Sequence, residues 1–256
     1  MMKMSLGVIR KDKELLLFPL ISGLLTFLIL AGFIVGMFFD AAGWFMFVGM
    51  CVLYFGAVFV TSFFNAAIIG CATIRLNGGD PTFADGIRIA KENARRIFVW
   101  TLIAATVGVI IGALQQKAGI GGRIALGIAG AAWTVASYFV IPVLIYEKVG
   151  PWEALKRSAS VFKDTWGESI VGNIGLGAIF VLLGLAGVLL PVLGFVLAGV
   201  TGLIVGATIM VAYVAVIAII GSAAQAVLVA ALYRYATTGK DSEDFQDLSF
   251  GDPWSS

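Results

Sequence analysis

The stretch SYFVIPVLIYEKVGPWEALKRSASVFKDTW, residues 137–166, contains the change of pattern that decides the fold. Its first part is apolar and is typical of the end of a membrane-spanning helix, which Val149-Gly150-Pro151 then interrupts. Pro151 suits the first position of a new helix, and the segment Pro151–Trp166 has two unlike faces. We therefore expect a spanning helix that ends at a membrane surface and is followed by an amphipathic helix lying on that surface.

The predicted surface helix separates its apolar and polar residues on a helical wheel. The apolar side carries Trp152, Leu155, Ala159, Phe162 and Trp166, and the polar side carries Glu153, Lys156, Arg157, Ser160, Lys163 and Asp164. Tryptophan favours the headgroup region, and each basic residue near anionic lipid gains about 1 kcal/mol. The sequence thus predicts a membrane-surface helix held by Trp152, Lys156, Arg157, Lys163 and Trp166. The alternative is that the apolar face packs against the spanning helices.

An earlier segment repeats this design. Asn77-Gly78-Gly79-Asp80-Pro81 is expected to stop a helix, and Thr82 to cap the next one. On the wheel, one face of the new helix is apolar and the other basic, with Ile89 as the misfit. The apolar face holds Phe83, Ile87, Ala90, Ala94, Ile97 and Phe98, and the polar face holds Arg88, Lys91, Glu92, Arg95 and Arg96.

The composition excludes a water-soluble globular protein. Hydrophobic residues make up 60% of the 256 residues and charged residues 12%, against roughly half and a quarter in soluble domains. Apolar runs of about 20 residues predict spanning helices. We expect six of them in an all-α, polytopic integral membrane protein, with one transmembrane domain at 1–236 and an acidic, disordered tail at 237–256. The fifth is expected to end near Pro191, with Gly194–Gly202 left open as a loop, a re-entrant piece or the start of the sixth.

The basic residues predict the orientation. Fifteen Lys and Arg fall in 1–14, 75–96, 147–168 and 234–256, whereas two, Lys117 and Arg123, fall in the alternate connections. Basic loops stay in the cytoplasm, so both termini and both amphipathic helices are expected there. The six spans then form three hairpins. Their ends correspond loosely, since Ser62-Phe63-Phe64 matches Ser137-Tyr138-Phe139 and residues 72–76 match residues 231–235.

Polar residues inside the spans are neutral. No Asp, Glu or Lys lies near the middle of a predicted span, which argues against ion-coupled pumps and against an enzyme. The chain contains no histidine, and no cofactor, metal or nucleic acid is expected. Asn65, Asn173 and Gln225, one in each hairpin, are candidates for a shared polar pathway. Helix-to-helix hydrogen bonding is the alternative.

Several motifs mark a resemblance. Pro151-Trp152-Glu153-Ala154-Leu155-Lys156-Arg157-Ser158 resembles the surface helix of many uncharacterised prokaryotic membrane proteins. Together with 10–19, Asn77-Gly78-Gly79-Asp80-Pro81 and residues 231–239, it resembles one six-span family known as a domain of unknown function. The resemblance implies fold and location in a prokaryotic plasma membrane, but no activity. A fainter likeness, at the basic start running into Phe18-Pro19, is to CysZ-type sulfate permeases.

Two functions fit these observations. The first is a homo-oligomeric channel or permease for small polar or anionic solutes, with glycine pairs such as Gly202/Gly206 allowing close helix packing within or between subunits. The second is a non-catalytic membrane-organising or scaffold protein that binds anionic lipid or a cytosolic partner. A hydrated path lined by Asn65, Asn173 or Gln225 would favour the first function, and a dry bundle the second.

Overall fold

The computed structural model describes residues 7–9, 11–39 and 43–238, and all of their side chains except those of 33, 36–39, 44–47 and 166–176. Throughout these ranges the regular secondary structure is helical. A 3-10 turn at Lys13–Leu16 leads into nine helices: α1 (Leu17–Phe39), α2 (Gly43–Leu76), α3 (Phe83–Glu92), α4 (Ala94–Lys117), α5 (Ile120–Ser137), α6 (Val140–Tyr146), α7 (Pro151–Asp164), α8 (Trp166–Gly187) and α9 (Leu189–Thr238).

Five helical stretches in the described ranges are long and apolar enough to cross a membrane. They are Lys13–Gly32, Val48–Leu76, Ala94–Lys117, Ile120–Tyr146 and Gly177–Thr238. The last has 62 residues, about 93 Å if it were straight, which is far more than the roughly 30 Å of hydrocarbon. It is not straight, because Ala198 (φ −142°) and Gly199 (φ +60°) leave the helical conformation.

The chain reverses direction at Ala198 and Gly199. A Cβ on Gly202 would overlap the carbonyl of Gly194, and a Cβ on Gly206 would lie 2.5 Å from the carbonyl oxygen of Leu190. Further along, the hydroxyl of Tyr213 donates to the carbonyl of Leu183 at 3.0 Å. The two arms therefore pack antiparallel at backbone contact distance. The segment Gly194–Gly202, left open by the sequence, is a helix, a tight turn and a second helix.

The sequence predicted that the fifth span ends near Pro191. The helix α8 ends at Gly187, and α9 begins at Leu189 and passes through Pro191 to the reversal at Ala198 and Gly199, so no loop follows Pro191. Pro191 has no N–H to bond the carbonyl of Gly187, and its ring crowds that carbonyl. The result is a local irregularity at Val188, where α8 ends and α9 begins, rather than a loop.

The other predicted boundary signals are confirmed. After Leu76, Gly78 takes φ +82°, and Gly79 N–H donates to the carbonyl of Ile74 at 3.0 Å, as in a Schellman helix end. Thr82 and Asp85 form a reciprocal capping box at the start of α3. Pro151 is the first residue of α7. Glycine and proline predicted these helix boundaries correctly because each acts on the conformation of the adjacent backbone.

The core of the described structure lies at one end of the molecule. The helix α2 packs against α1, α3, α4, α6 and α9. Its C-terminal half, the whole of α6 and the last third of α9 contribute most of the fully buried side chains, including Ile68, Ile69, Val140, Val143, Leu144, Leu228 and Leu232. The opposite halves of the apolar helices are largely exposed. The stretch 137–166 is thus one of several contributors to a core that also includes residues of α1, α3 and α4.

Candidate functional site: the basic end of the bundle

The C-terminal ends of α2, α6 and α9 meet at one place, which we call the basic end. The guanidinium of Arg234 donates to the carbonyl of Leu76. The hydroxyl of Tyr146 donates to the carbonyl of Ile69 at 3.4 Å, and its ring stacks on Tyr233 at a centroid distance of 6.0 Å. The carbonyl of Leu76 is one of the last four of α2, which lack a partner within the helix, and Arg234 supplies that partner.

The segment 138–146, which contains α6, runs in the same direction as the end of α9. Tyr138 contacts Gln225 and Tyr146 contacts Tyr233, so the two sequences advance together. The spacing of the contacts matches the sequence correspondences. Ile69 and Tyr146 are 77 positions apart and Leu76 and Arg234 are 158 apart. The corresponding motifs are shifted by 75 positions (62 to 137) and by 159 positions (72 to 231). The contacting residues are therefore within two positions of those that correspond in sequence.

The amphipathic helix α7 packs on this core. It buries Ala154, Leu155, Ser158, Val161 and Phe162. The centre of this buried face lies about 80° around the helix from the centre of the predicted apolar face. The two differ because the predicted face included Trp152 and Ala159, and both are exposed. The helix therefore has a face turned to protein and, next to it, an exposed edge that carries Trp152. The side chain of Trp166 lies outside the described residues.

The basic residues of α7 point away from the core. Lys156, Arg157 and Lys163 are exposed. Arg157 donates to the carboxylate of Glu147 at 2.9 Å, and that carboxylate raises the pKa of Arg157 above its usual value. Glu147 also accepts from the hydroxyl of Tyr233 at 3.0 Å. One carboxylate thus ties α7 to the end of α9.

The first amphipathic helix, α3, packs on α2 through glycine. A Cβ on Gly86 would lie 3.1 Å from the carbonyl oxygen of Ala67, and a Cβ on Gly70 would lie 2.8 Å from Ile89. Ile89, the misfit on the wheel, therefore fills the space that Gly70 leaves on α2. The ring of Phe83 stacks on Phe18 at 4.7 Å. The sequence did not predict these contacts, because the pattern of polar and apolar residues in α3 does not show where the surface of α2 leaves space.

The N-terminal segment closes the basic end through ion pairs. Arg75 bonds both Asp12, which is buried, and Asp80. The carboxylate of Glu14 accepts the backbone N–H of Phe83 at 2.6 Å, at the N-terminus of α3, where negative charge is favourable. Sequence reasoning missed Asp12 and Glu14. Their one visible signal was that two acidic residues stand within a basic segment.

Two similar joints connect the amphipathic helices to the spans that follow them. Asn93 between α3 and α4 and Thr165 between α7 and α8 are both buried, with φ/ψ of −107°/5° and −118°/18°. The Asn93 amide donates to the carbonyl of Ile89 at 3.0 Å, and the Thr165 hydroxyl donates to that of Val161 at 2.9 Å. Each polar side chain satisfies its own helix end, so the chain bends without exposing a backbone group.

The structure describes the side chains of two of the three amides that were predicted to line a pathway. Asn65 on α2 and Gln225 on α9 are half-buried. The Gln225 amide nitrogen lies 3.5 Å from the hydroxyl of Tyr138. Asn173 lies in α8, and its side chain is outside the described residues. Within the described part, no hydrogen bond joins Asn65 to Gln225.

A family model described as "Family of unknown function (DUF6159)" matches residues 44–243. The chain belongs to this family. The match covers α2 to α9 and confirms the resemblance to an uncharacterised family, whereas nothing in the comparisons supports the likeness to CysZ-type permeases. No curated protein and no solved structure matches the chain.

Proposed function

We propose that the chain is a non-catalytic membrane-organising protein of a prokaryotic plasma membrane. It crosses the bilayer six times as three hairpins, with both termini, α3 and α7 in the cytoplasm. The fifteen-to-two distribution of basic residues supports this orientation. The reversal at Ala198–Gly199 supports two crossings in Gly177–Thr238, and the contacts that join the C-terminal ends of α2, α6 and α9 support the threefold repeat.

The dry packing of the basic end carries the proposal. The fully buried side chains that α2, α6 and α9 contribute to the core are mostly alanine, valine, leucine and isoleucine, and the tyrosine pair Tyr146 and Tyr233 stacks where these helices end. The polar groups around them are used in internal bonds, such as Arg234 to Leu76 and Tyr233 to Glu147. A close-packed apolar interior offers a solute neither water nor hydrogen-bonding partners. The arrangement is that of a rigid platform.

The platform presents a basic surface. Lys156 and Lys163 on α7 and Arg88 and Lys91 on α3 are all exposed. Each can attract anionic lipid headgroups or an acidic cytosolic partner. Next to them Trp152, which is 62% exposed, suits the headgroup region because its ring is apolar and its N–H can stay hydrated.

Energy transfer in reconstituted vesicles tests this function. A fluorescent donor on the protein transfers energy to acceptor-labelled lipid that lies close to it. The efficiency of transfer is compared between acceptor-labelled phosphatidylglycerol and acceptor-labelled phosphatidylcholine. We expect enrichment of the anionic lipid, and its loss in the Lys156→Glu, Lys163→Glu double variant. The matched control reverses Lys117 and Arg123, which changes the net charge equally at the other end and should retain most of the enrichment. Equal transfer to both lipids by the unmodified protein would contradict the lipid-organising role.

A homo-oligomeric permease is the second candidate, and it is favoured by one observation. Asn65 and Gln225 place two neutral amides at half-buried positions of apolar helices, where they can face a path between copies of the chain. Solute flux into protein-containing vesicles that is abolished by Asn65→Leu and Gln225→Leu would favour the permease over the platform. Crosslinking in native membranes that gives only monomers would exclude such a path between copies.

A further inference from the structure

An apolar groove on the outside of the bundle is a separate feature from the basic end. It has a volume of about 500 Å³ and opens between α2 and α4, with almost no polar surface along its lining. Its walls include Val48, Val52, Gly56 and Phe59 from α2 and Phe98 and Leu102 from α4. Among the lining residues, Phe59 and Phe98 contact each other edge to face at 5.6 Å.

The groove matches one lipid chain in length and chemistry. From Val48 to Phe59 the helix rises about 16 Å, close to half of the roughly 30 Å hydrocarbon core. Among the described residues that line the groove, Thr101 carries a hydroxyl, which is buried and donates to the carbonyl of Ile97 at 2.8 Å. It therefore presents no unpaired donor to an occupant. Gly56 has no atom within 4 Å of where its Cβ would stand, so the missing side chain leaves room in the groove.

A basic residue stands at the end of the groove that faces the basic end of the bundle. Arg95 lies three residues before Phe98 and seven before Leu102, so all three share one face of α4. Arg95 is exposed, and within the described residues it makes no hydrogen bond or ion pair. Its neighbour Arg96 differs, because it donates to the side chain of Asn93 at 3.1 Å. The charge of Arg95 remains available to an anion at the membrane surface.

We propose that this groove binds one anionic glycerophospholipid, with an acyl chain between α2 and α4 and the phosphate at Arg95. The chain is the apolar occupant that the surrounding bilayer supplies, and Arg95 provides the complementary charge at the depth of the headgroup. The proposal rests in part on the proposed lipid-organising function, which it extends from a general basic surface to one defined site on a different face.

Photo-crosslinking maps the site directly. The probes are phosphatidylglycerol and phosphatidylcholine carrying a diazirine in one acyl chain, each in vesicles with the purified full chain. We expect crosslinks concentrated in 48–59 and 98–102, with phosphatidylglycerol favoured about fivefold, the ratio that corresponds to about 1 kcal/mol for one basic residue. Arg95→Gln should remove this preference and keep the crosslinked positions.

Gly56→Leu fills the groove and should abolish the crosslinks. Gly127→Leu is the matched control, because Gly127 is also a helical glycine with open space around its Cβ position and lies on α5, away from the groove. If Gly56→Leu lowers the thermal stability, Val52→Trp at the exposed rim serves as the blocking variant. The Lys156→Glu, Lys163→Glu variant should leave the groove crosslinks unchanged even where general enrichment is lost, which separates this site from the platform.

Two outcomes would overturn the inference. Crosslinks spread evenly over all lipid-facing helices would show ordinary boundary lipid only. Crosslinks between two copies of the chain at 48–59 would show that a second copy fills the groove.

Discussion

The hydroxyl oxygen of Ser158 on α7 accepts the backbone N–H of Phe139 at 2.8 Å, and both residues are fully buried. The bond compensates for a break in the apolar helical stretch Ile120–Tyr146. Pro142 lacks an N–H and crowds the carbonyl of Tyr138, and Phe139 takes φ −102°, ψ 13°, so that α5 and α6 are separated there. The serine that ends the motif 151–158 supplies the partner that the broken helix has lost.

Replacing Ser158 by alanine should therefore destabilise the protein. The variant leaves the Phe139 N–H buried without its partner, at a cost of about 1–3 kcal/mol in the free energy of unfolding. Ser160→Ala is the matched control, since Ser160 is exposed two residues along the same helix, and it should change stability by less than about 0.5 kcal/mol. Thermal unfolding in detergent measures both. Equal stabilities would mean that the bond to Phe139 contributes nothing.

The membrane orientation can be tested by labelling. In a protein whose free cysteines, Cys51 and Cys71, are replaced by alanine, a cysteine is introduced at Lys117 or at Lys91. An impermeant maleimide added to intact cells should label the first and not the second, because basic connections stay inside. Labelling of both positions after the cells are opened is the control for reactivity. The reverse pattern would invert the topology.

The contact of α3 with α2 depends on a missing side chain. In Gly86→Ala the new Cβ would stand 2.5 Å from the ring of Phe18 and 2.8 Å from the sulfur of Cys71. Since Phe18 is fully buried, the ring cannot turn away, and crowding should cost about 1–3 kcal/mol. Gly112→Ala on α4 meets nothing within 4 Å and should be neutral or slightly stabilising, because alanine favours helix. Equal behaviour of the two variants in thermal unfolding would contradict this packing.

The sequence predicted the roles of residues that act on the backbone next to them. It did not predict the roles of residues that depend on contacts with distant parts of the chain. Gly78, Thr82 and Pro151 each determine the conformation of the adjacent backbone. The sequence therefore located the C-terminal end of α2 and the starts of α3 and α7. The buried face of α7 was misplaced because exposed Trp152 and buried Ser158 have the reverse of their usual preferences. The surroundings of each residue explain its burial. Ser158 is buried because it accepts the hydrogen bond of the Phe139 N–H, and Trp152 is exposed because no part of the described chain packs over it. The contact between Arg75 and Asp12 likewise joins residues 63 positions apart, which no local pattern encodes.

The start of α3 should respond to acid. Asp85 accepts hydrogen bonds from the Thr82 hydroxyl at 2.7 Å and from the Thr82 backbone N–H at 3.1 Å, with Arg88 also at 2.7 Å. These bonds lower the pKa of the Asp85 carboxyl below its ordinary value. A lowered pKa in the folded state gives stability above the unfolded pKa of about 3.9, and that stability is lost as the pH falls through the folded value.

The melting temperature of the unmodified protein should accordingly exceed that of Asp85→Asn at pH 7. The gap should shrink below about pH 4, the range of the unfolded carboxyl, and close at lower pH. Glu92→Gln is the control, because Glu92 is exposed at the other end of the same helix and should give no comparable gap. A difference between the unmodified protein and Asp85→Asn that stays constant down to the lowest pH would show that the effect is not the charge of Asp85.

The last prediction separates packing within one chain from packing between chains. Gly202 and Gly206 have the four-residue spacing common at helix interfaces, and both face the arm that contains Leu190 and Gly194 of their own chain. In Gly202→Ala the Cβ would meet the backbone carbonyl of Gly194, which cannot move as a side chain can, so the two arms must separate. We expect the free energy of unfolding to fall by more than about 2 kcal/mol, with the oligomeric state unchanged on size exclusion.

The matched control is Gly184→Ala. Gly184 lies on the same hairpin with open space around its Cβ position, so this variant should keep its thermal stability. If Gly202→Ala instead left the thermal stability intact and changed the oligomeric state, the glycine pair would serve contacts between subunits rather than the hairpin.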